Sequence, residues 1–212
     1  MTTPIPAGTW ALRVHAACDW VMWTMTVNAL VIASALAGGI VLGTAPAVVT
    51  ATALTRRRLR GEAFPVIRTF AGTWRDEFWR ANAVVGPPLA VTALLTLQVA
   101  GSASGGTLGT ASGVALCVAA VLAFLVTAVV TPLYTHYDLP LRAYLPTASR
   151  WMLRNAAPVL LLAVAAAGVI GISALIPGLV PFVSVGAWLT ISTALAIGLF
   201  TANDRLVASP AP

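Results

Sequence analysis

Charged side chains are scarce in this sequence. Only 8% of its 212 residues are charged and 59% are hydrophobic, which gives a mean hydropathy of +0.92. A water-soluble domain of this length carries charge on roughly a quarter of its residues. The apolar side chains exceed what one protein core can bury, so we expect lipid to surround the remainder. The composition excludes an ordinary soluble fold.

Lysine is absent, and all twelve basic residues are arginine. The formal net charge of +6 would suggest nucleic-acid binding in a soluble protein. However, no basic patch is interleaved with aromatic residues that could stack on bases. Arginine beside apolar segments instead sets membrane topology and contacts anionic lipid headgroups. We therefore expect the lipid bilayer with its anionic headgroups as a partner, and no nucleic acid.

Residue types that perform catalysis or bind metals are also few. The chain has two cysteines, two histidines and six carboxylates, and Cys18 and Cys117 fit no metal-ligand spacing. No nucleophile-elbow, zinc-protease or phosphate-loop motif is present. The segment His136-Tyr137-Asp138 is the one local pairing of histidine with a carboxylate, and a loop cluster that bonds to backbone explains it without catalysis. The sequence thus predicts no enzyme, no cofactor and no metal site.

Long apolar runs predict an all-α polytopic membrane protein with a single domain over residues 1–212. About 20 apolar residues cross a hydrocarbon core of roughly 30 Å as a helix. Five runs approach or exceed this length: 21–42, 81–100, 111–133, 155–176 and 180–201. Two of the connections, 101–110 and 177–181, are uncharged, whereas 55–80 and 135–154 together carry ten arginines.

The arginine distribution predicts the topology of these five spans. Alternating spans place eleven arginines on one side of the membrane and Arg13 alone on the other. The positive-inside rule assigns the arginine-rich side to the cytoplasm. We therefore expect loops 55–80 and 135–154 and the C-terminus to be cytoplasmic, and the N-terminus to lie outside.

The first arginine-rich loop predicts an amphipathic helix at the membrane interface. Pro65 suits the first turn of a helix, and Ile67, Phe70, Trp74 and Phe78 follow at spacings of three or four residues. Such a stripe is typical of a helix that lies on the inner membrane surface.

Similar motifs also suggest an internal duplication. Pro46 and Pro132 each mark the end of an apolar run, and each is followed later by a motif with arginine and asparagine, at 80–83 and 154–157. The order would be helix, cytoplasmic segment, helix, inserted twice in the same sense. Convergent use of small residues explains the likeness equally well.

A family resemblance rests on the stretch from Gly38 to Leu89. Its motifs, in order, are Gly43-Thr44-Ala45-Pro46-Ala47, Thr52-Ala53-Leu54, Arg60-Gly61-Glu62, Phe70, Trp74 and Phe78-Trp79-Arg80-Ala81-Asn82. This order resembles the YesL-like family of bacterial integral membrane proteins, a domain of unknown function. The resemblance implies a small multi-pass protein of the bacterial cytoplasmic (plasma) membrane. Genes of such proteins often accompany carbohydrate ABC importers, which implies an accessory role in sugar uptake and ABC transporter membrane subunits as partners.

Ten residues are candidates for a functional role. The arginines could contact a protein partner or anionic lipid, although topology alone also explains them. The others, which include a GxxxG pair and two amides within apolar runs, could pack helices or line a lumen. The arginines are Arg56, Arg57, Arg58, Arg60, Arg75 and Arg80, and the others are Asn28, Gly39, Gly43 and Gln98.

Two functions remain open from the sequence. The first is a non-enzymatic membrane accessory protein associated with carbohydrate uptake, with 55–80 and 135–154 as its partner surface. The second is a stand-alone carrier or channel for a small neutral solute. Pro87 and Pro88 favour the second, because interrupted helices often mark transport sites.

Overall fold

The computed structural model describes residues 9–208 of the chain, and the side chains of residues 10–201. Within this range the protein has nine α-helices and no strand, which confirms an all-α polytopic architecture. Short 3-10 turns cover Leu141–Ala143 and Pro177–Leu179, and a π-helical turn covers Val180–Ser184. The helices are α1 (Thr9–Ala37), α2 (Val41–Leu59), α3 (Val66–Asp76), α4 (Phe78–Val84), α5 (Gly86–Ser104), α6 (Ala111–His136), α7 (Tyr144–Arg154), α8 (Ala156–Leu175) and α9 (Val185–Ala208).

Four segments of the described chain are long and apolar enough to cross a membrane: Trp10–Ala37, Ala111–His136, Ala156–Leu175 and Pro177–Thr201. Helices α4 and α5, bent by 57° at the break between them, add a fifth if they form one span. Pro87 and Pro88 lie in the first turn of α5, where a missing backbone N–H breaks no intrahelical bond. The prolines therefore fit the start of a new helix after the bend.

A turn interrupts the first apolar run, which the sequence predicts as one span over 21–42. Helix α1 ends at Ala37, and three residues separate it from α2. Gly39 and Ile40 in this turn both have positive φ, +72° and +66°. Gly39 and Gly43 therefore do not share a helix, and the expected GxxxG face is wrong. Hydropathy missed the turn because the turn residues are themselves apolar or small.

Helices α1 and α2 form an antiparallel hairpin. Asp19 and Arg58 make an ion pair of 2.5 Å, and the indole of Trp23 donates to the hydroxyl of Thr55 at 3.3 Å. These contacts place the N-terminal half of α1 beside the last turns of α2.

Two further antiparallel hairpins complete the bundle. The hydroxyls of Thr92 on α5 and Thr127 on α6 lie 3.0 Å apart. Ser173 near the end of α8 contacts Ser184, just before α9, at 2.7 Å. The connections within these two hairpins carry no charge, whereas the segments between successive hairpins, together with the last turn of α2, carry ten arginines.

Both arginine-rich segments meet at one end of the bundle, which we call the arginine-rich end (residues 55–80 and 135–154). The guanidinium of Arg56 donates to the carbonyl of Thr135, and the amide of Asn82 donates to the carbonyl of Leu42 at 2.8 Å. These two bonds join the start of α2 to α4 and the end of α2 to the last turn of α6.

The first arginine-rich segment contains two short helices that pack on α2. Phe70 of α3 is buried, and the indole of Trp74 donates to the carbonyl of Gly43 at 3.3 Å. Ile67 is exposed, so it does not pack with Phe70 on the buried side of α3 as the predicted apolar stripe requires. The helix also breaks at Glu77, between α3 and α4.

The order of elements after the first turn repeats. Helices α2, α3 and α4–α5 are followed by α6, α7 and α8. Asn82 in α4 and Asn155 before α8 each donate to the carbonyl four residues earlier, both at 2.8 Å. This order agrees with the duplication suggested by the sequence, which stays a prediction.

Candidate functional site

Polar and aromatic side chains that are rare in this chain converge in one cleft at the arginine-rich end. The cleft has a volume of about 320 Å³. All three tyrosines of the chain, Tyr134, Tyr137 and Tyr144, line it, together with the carboxylates of Glu77 and Asp138. Because these residues come from both arginine-rich segments and from α6, only the folded bundle creates the cleft. We call it the tyrosine cleft.

An ion pair joins the two arginine-rich segments across the tyrosine cleft. Arg80 Nη2 lies 2.7 Å from Asp138 Oδ1, and the guanidinium stands 5.4 Å from the centre of the Tyr134 ring. The Asp138 side chain is 90% exposed, and a pair this open to solvent contributes at most about 1 kcal/mol. Its main effect is to position the guanidinium over the aromatic ring.

The Tyr134 hydroxyl donates a hydrogen bond to the carboxylate of Glu77. Glu77 is the single residue between α3 and α4, and Tyr134 lies in the last turn of α6. The Tyr134 ring also packs against the Tyr144 ring, with centroids 5.2 Å apart. These contacts fix the first arginine-rich segment to the end of α6.

Tyr144 organises the chain between α6 and α7. Its fully buried hydroxyl donates to the carbonyl of Tyr137 at 2.9 Å and accepts from the amide of Leu139 at 3.0 Å. These two bonds satisfy backbone groups that lie outside any helix. They also hold Tyr137 and Asp138 at the mouth of the cleft.

The cleft offers hydrogen-bond donors, acceptors and aromatic surface together. One guanidinium and two carboxylates give it a formal charge of −1 with histidine neutral. Its volume falls at the lower end of the roughly 300–1,000 Å³ typical of small-molecule sites. Within residues 9–208, no three His, Cys, Asp or Glu side chains are grouped to hold a metal ion. The arrangement is suited to binding a small polar molecule.

The sequence-predicted arginines at the end of α2 contact protein groups. Arg57 and Arg60 share the Glu62 carboxylate at 2.7 and 2.8 Å, and Arg57 stands 4.5 Å from the centre of the Phe64 ring. The hydrogen bond from Arg57 is the main cause that lowers the pKa of the Glu62 carboxyl. This arrangement closes the chain reversal between α2 and α3.

Arg56 and Arg58 hold neighbouring elements. Burial, followed by repulsion from Arg60, lowers the pKa of Arg56, whose guanidinium binds the Thr135 carbonyl. Arg58, besides its ion pair with Asp19, lies 4.7 Å from the centre of the Trp23 ring. Of the six candidate arginines, Arg80 lines the cleft and Arg75 lies exposed on α3.

The other sequence candidates lie apart from the cleft. Asn28 is fully buried; its amide donates to the Pro181 carbonyl at 2.6 Å, and its oxygen accepts from the Gly186 amide at 3.1 Å. Gly43 lets α1 and α2 approach closely, because an added Cβ would lie 2.5 Å from the carbonyl oxygen of Ser34. Gln98 is exposed on α5, and Gly39 lies in the turn after α1.

A second cavity, of about 280 Å³, lies between α2, α5, α6 and α9. Threonine hydroxyls line it, among them those of Thr52, Thr92, Thr127 and Thr131. Each of these four donates to the carbonyl four residues earlier in its own helix, at 2.8–2.9 Å. Oxygen lone pairs rather than hydroxyl protons are therefore left for a bound molecule. Neither Asn28 nor Gln98 lines this threonine-lined cavity.

Sequence reasoning named Arg80, His136, Tyr137 and Asp138 but missed the cleft that they share. One available signal was the spacing of the tyrosines, since all three fall within residues 134–144. Glu77 gave no such signal, because 57 residues separate it from the Tyr134 hydroxyl that it binds.

Among the comparisons with known proteins, one family model matches part of the chain. No curated protein and no solved structure matches it. A family match covers about the C-terminal half of α1, all of α2, α3 and α4, and much of α5, including Glu77 and Arg80 but none of the tyrosines. Residues 24–99 match the family described as "Protein of unknown function, DUF624", so this segment resembles an uncharacterised-domain family.

Proposed function

We propose that this chain is a YesL-like, non-enzymatic accessory protein of the bacterial plasma membrane that associates with the membrane subunits of an ABC-type carbohydrate importer. The observation that carries the proposal is a set of exposed large apolar side chains among the arginines at the arginine-rich end. Ile67, Trp79 and Leu153 are 71%, 75% and 86% exposed. Large exposed apolar groups at a fixed surface favour contact with a partner.

The two arginine-rich segments act as one surface in this proposal. The Arg80–Asp138 ion pair and the Tyr134–Glu77 hydrogen bond hold them together. Arg58 pairs with Asp19, and Arg57 and Arg60 share Glu62, so two carboxylates offset part of the charge of these three arginines and weaken their attraction for lipid headgroups. A protein partner therefore explains this end of the bundle better than a purely electrostatic attachment to lipid.

Trp79→Ala tests the proposal by removing the largest exposed apolar group of α4. We expect about a tenfold loss in the amount of importer membrane subunit that co-purifies in mild detergent. Phe182→Ala is the matched control, because Phe182 is 61% exposed in the uncharged connection before α9 and lies outside both arginine-rich segments. Equal recovery of the importer subunit with both variants would overturn the proposed surface.

The threonine-lined cavity favours a second candidate, a carrier or channel for a small neutral solute. Its hydroxyl oxygens can accept hydrogen bonds from a solute within the bundle. Uptake of a neutral solute into proteoliposomes that contain this protein alone would support a carrier or channel and overturn the accessory role. Thr127→Val should then reduce the uptake, whereas Thr96→Val, at an exposed position on α5, should not.

The topology that we propose differs from the sequence expectation at the N-terminal side. The positive-inside rule assigns the arginine-rich end to the cytoplasm. Because Asp19 pairs with Arg58 at that end, the N-terminal half of α1 is cytoplasmic too. The sequence expectation instead places the N-terminus outside the cell. The two termini, residues 1–8 and 209–212, lie outside the described residues.

A further inference from the structure

We infer that the tyrosine cleft binds a neutral, polyhydroxylated ligand of monosaccharide size. The inference goes beyond the proposed accessory role, which requires no ligand. Only the access of the ligand from the cytoplasm rests on the proposed topology; binding itself does not.

The first argument is the concentration of rare side chains. The chain contains three tyrosines, two histidines and six carboxylates in 212 residues. The cleft takes all three tyrosines, one histidine and two carboxylates, in a volume of about 320 Å³. These groups join the two arginine-rich segments and also enclose an open cavity, which joining the segments does not require. Their convergence indicates a built site.

The second argument is the match between the cleft and a sugar. Carboxylates accept, and a guanidinium donates, pairs of hydrogen bonds in a plane, which suits hydroxyls on adjacent carbons. Glu77, Asp138 and Arg80 supply these groups within one cleft. Tyr137, which is half-buried and lines the cleft, supplies aromatic surface for the C–H face of a sugar ring.

The third argument is charge. Among the residues that line the cleft, two carboxylates outnumber one guanidinium, so the lining offers an anionic ligand no excess of positive charge. A cationic ligand would compete with Arg80, which is already paired with Asp138 at 2.7 Å. A neutral ligand avoids both costs and can still use every charged group as a strong hydrogen-bond partner.

The fourth argument is that the walls are rigid while the mouth is open. Tyr144 is fully buried and Tyr134 is 8% exposed, and the contacts between and around their rings fix both. The Asp138 side chain at the mouth is 90% exposed, so it can adjust around a ligand at little cost. Fixed walls reduce the ordering cost of binding.

The test is titration calorimetry on the full chain in lipid nanodiscs. The protein should be prepared without alkyl-maltoside or alkyl-glucoside detergents, because their sugar headgroups would compete. The probes are D-glucose, D-galactose, D-mannose, D-xylose and L-rhamnose, with L-arginine and sodium L-glutamate as charged comparisons. We expect saturable binding of at least one of the neutral sugars and none of the charged compounds.

Two isosteric variants connect binding to the cleft. Glu77→Gln removes a charge but keeps an acceptor for the Tyr134 hydroxyl, and Asp138→Asn changes an exposed side chain. Each should weaken sugar binding about tenfold or more. Glu62→Gln, outside the cleft, should leave binding unchanged. If the Glu77→Gln variant fails to fold, the sugar affinity of the Asp138→Asn variant alone tests whether binding occurs in the cleft.

Three results would each overturn the inference. They are absence of binding for all five sugars, preferential binding of L-arginine or glutamate, and sugar binding unaffected by the Asp138 substitution. None of these results bears on co-purification of an importer subunit, so the accessory role is tested independently of sugar binding.

Discussion

Asn28 is the polar side chain that most directly links distant parts of the bundle. Its amide group bonds to Pro181 and Gly186, more than 150 residues away, and is fully buried. An amide in an apolar interior needs such partners, because an unpaired buried polar group costs free energy. This geometry favours a structural clamp between α1 and the start of α9 over a role in contacting a solute.

Asn28→Leu should destabilise the protein by about 1–3 kcal/mol, because the Gly186 amide and the Pro181 carbonyl would lose their partner. The free energy of unfolding in mixed micelles, followed by circular dichroism against increasing SDS, measures the effect. Gln98→Leu is the matched control: its amide is exposed on α5, and its removal should change stability by less than about 0.5 kcal/mol. Equal stability of both variants would contradict the clamp.

Sequence alone identifies Asn28 as unusual, since an amide within an apolar run is conspicuous. It does not identify the partners, because these are backbone groups that any sequence carries. The same limit applies to Tyr134 and Glu77, whose contact depends on how α3, α4 and α6 pack. Residue types are therefore predictable here, whereas long-range pairings are not.

At the scale of helices, the close contact of α1 with α9 depends on one glycine. A Cβ at Gly186 would lie 2.0 Å from the carbonyl oxygen of Thr24, which is backbone and cannot move aside as a side chain could. Small residues that allow such approach are the usual basis of helix packing in lipid. Gly198, on the same helix, has nothing within 4 Å of its Cβ position.

Gly186→Ala should therefore destabilise the protein by about 1–3 kcal/mol through overpacking. Gly198→Ala should be neutral or stabilise it by up to about 1 kcal/mol, since alanine is the better helix former. The same SDS unfolding assay compares the two. A more stable Gly186→Ala variant would show that α1 and α9 are less tightly packed than described.

Helix prediction from the sequence succeeded where an apolar run contains no break. The predicted spans 111–133 and 155–176 lie almost entirely within Ala111–His136 and Ala156–Leu175. The prediction of one span over 21–42 was wrong, because Gly39 and Ile40 adopt positive φ and turn the chain without any polar residue. A hydropathy pattern detects burial in lipid but carries no information on such a turn.

At the scale of the whole molecule, the arginines gather at one end because the chain forms three hairpins. The ion pair of Asp19 with Arg58 and the bond of Arg56 to Thr135 bring the first hairpin to the same end as the others. The topology that we propose differs from the count of alternate spans, because that count takes the run 21–42 as a single span, whereas α1 ends at Ala37 and α2 turns back beside it. The charge pattern itself was sufficient to identify the arginine-rich segments.

The side of the membrane on which Cys18 lies tests this arrangement most directly. Cys18 lies at the protein surface beside the charged Asp19 and ahead of the apolar run that begins at residue 21, so its labelling reports on the N-terminal half of α1. In a Cys117→Ser background, a membrane-impermeant maleimide is applied to spheroplasts and to inside-out vesicles. A Gly109→Cys variant that also carries Cys18→Ser and Cys117→Ser reports on the uncharged connection between α5 and α6. We predict that Cys18 reacts only in inside-out vesicles and that the Gly109→Cys position reacts only in spheroplasts; labelling of Cys18 in spheroplasts would contradict the account.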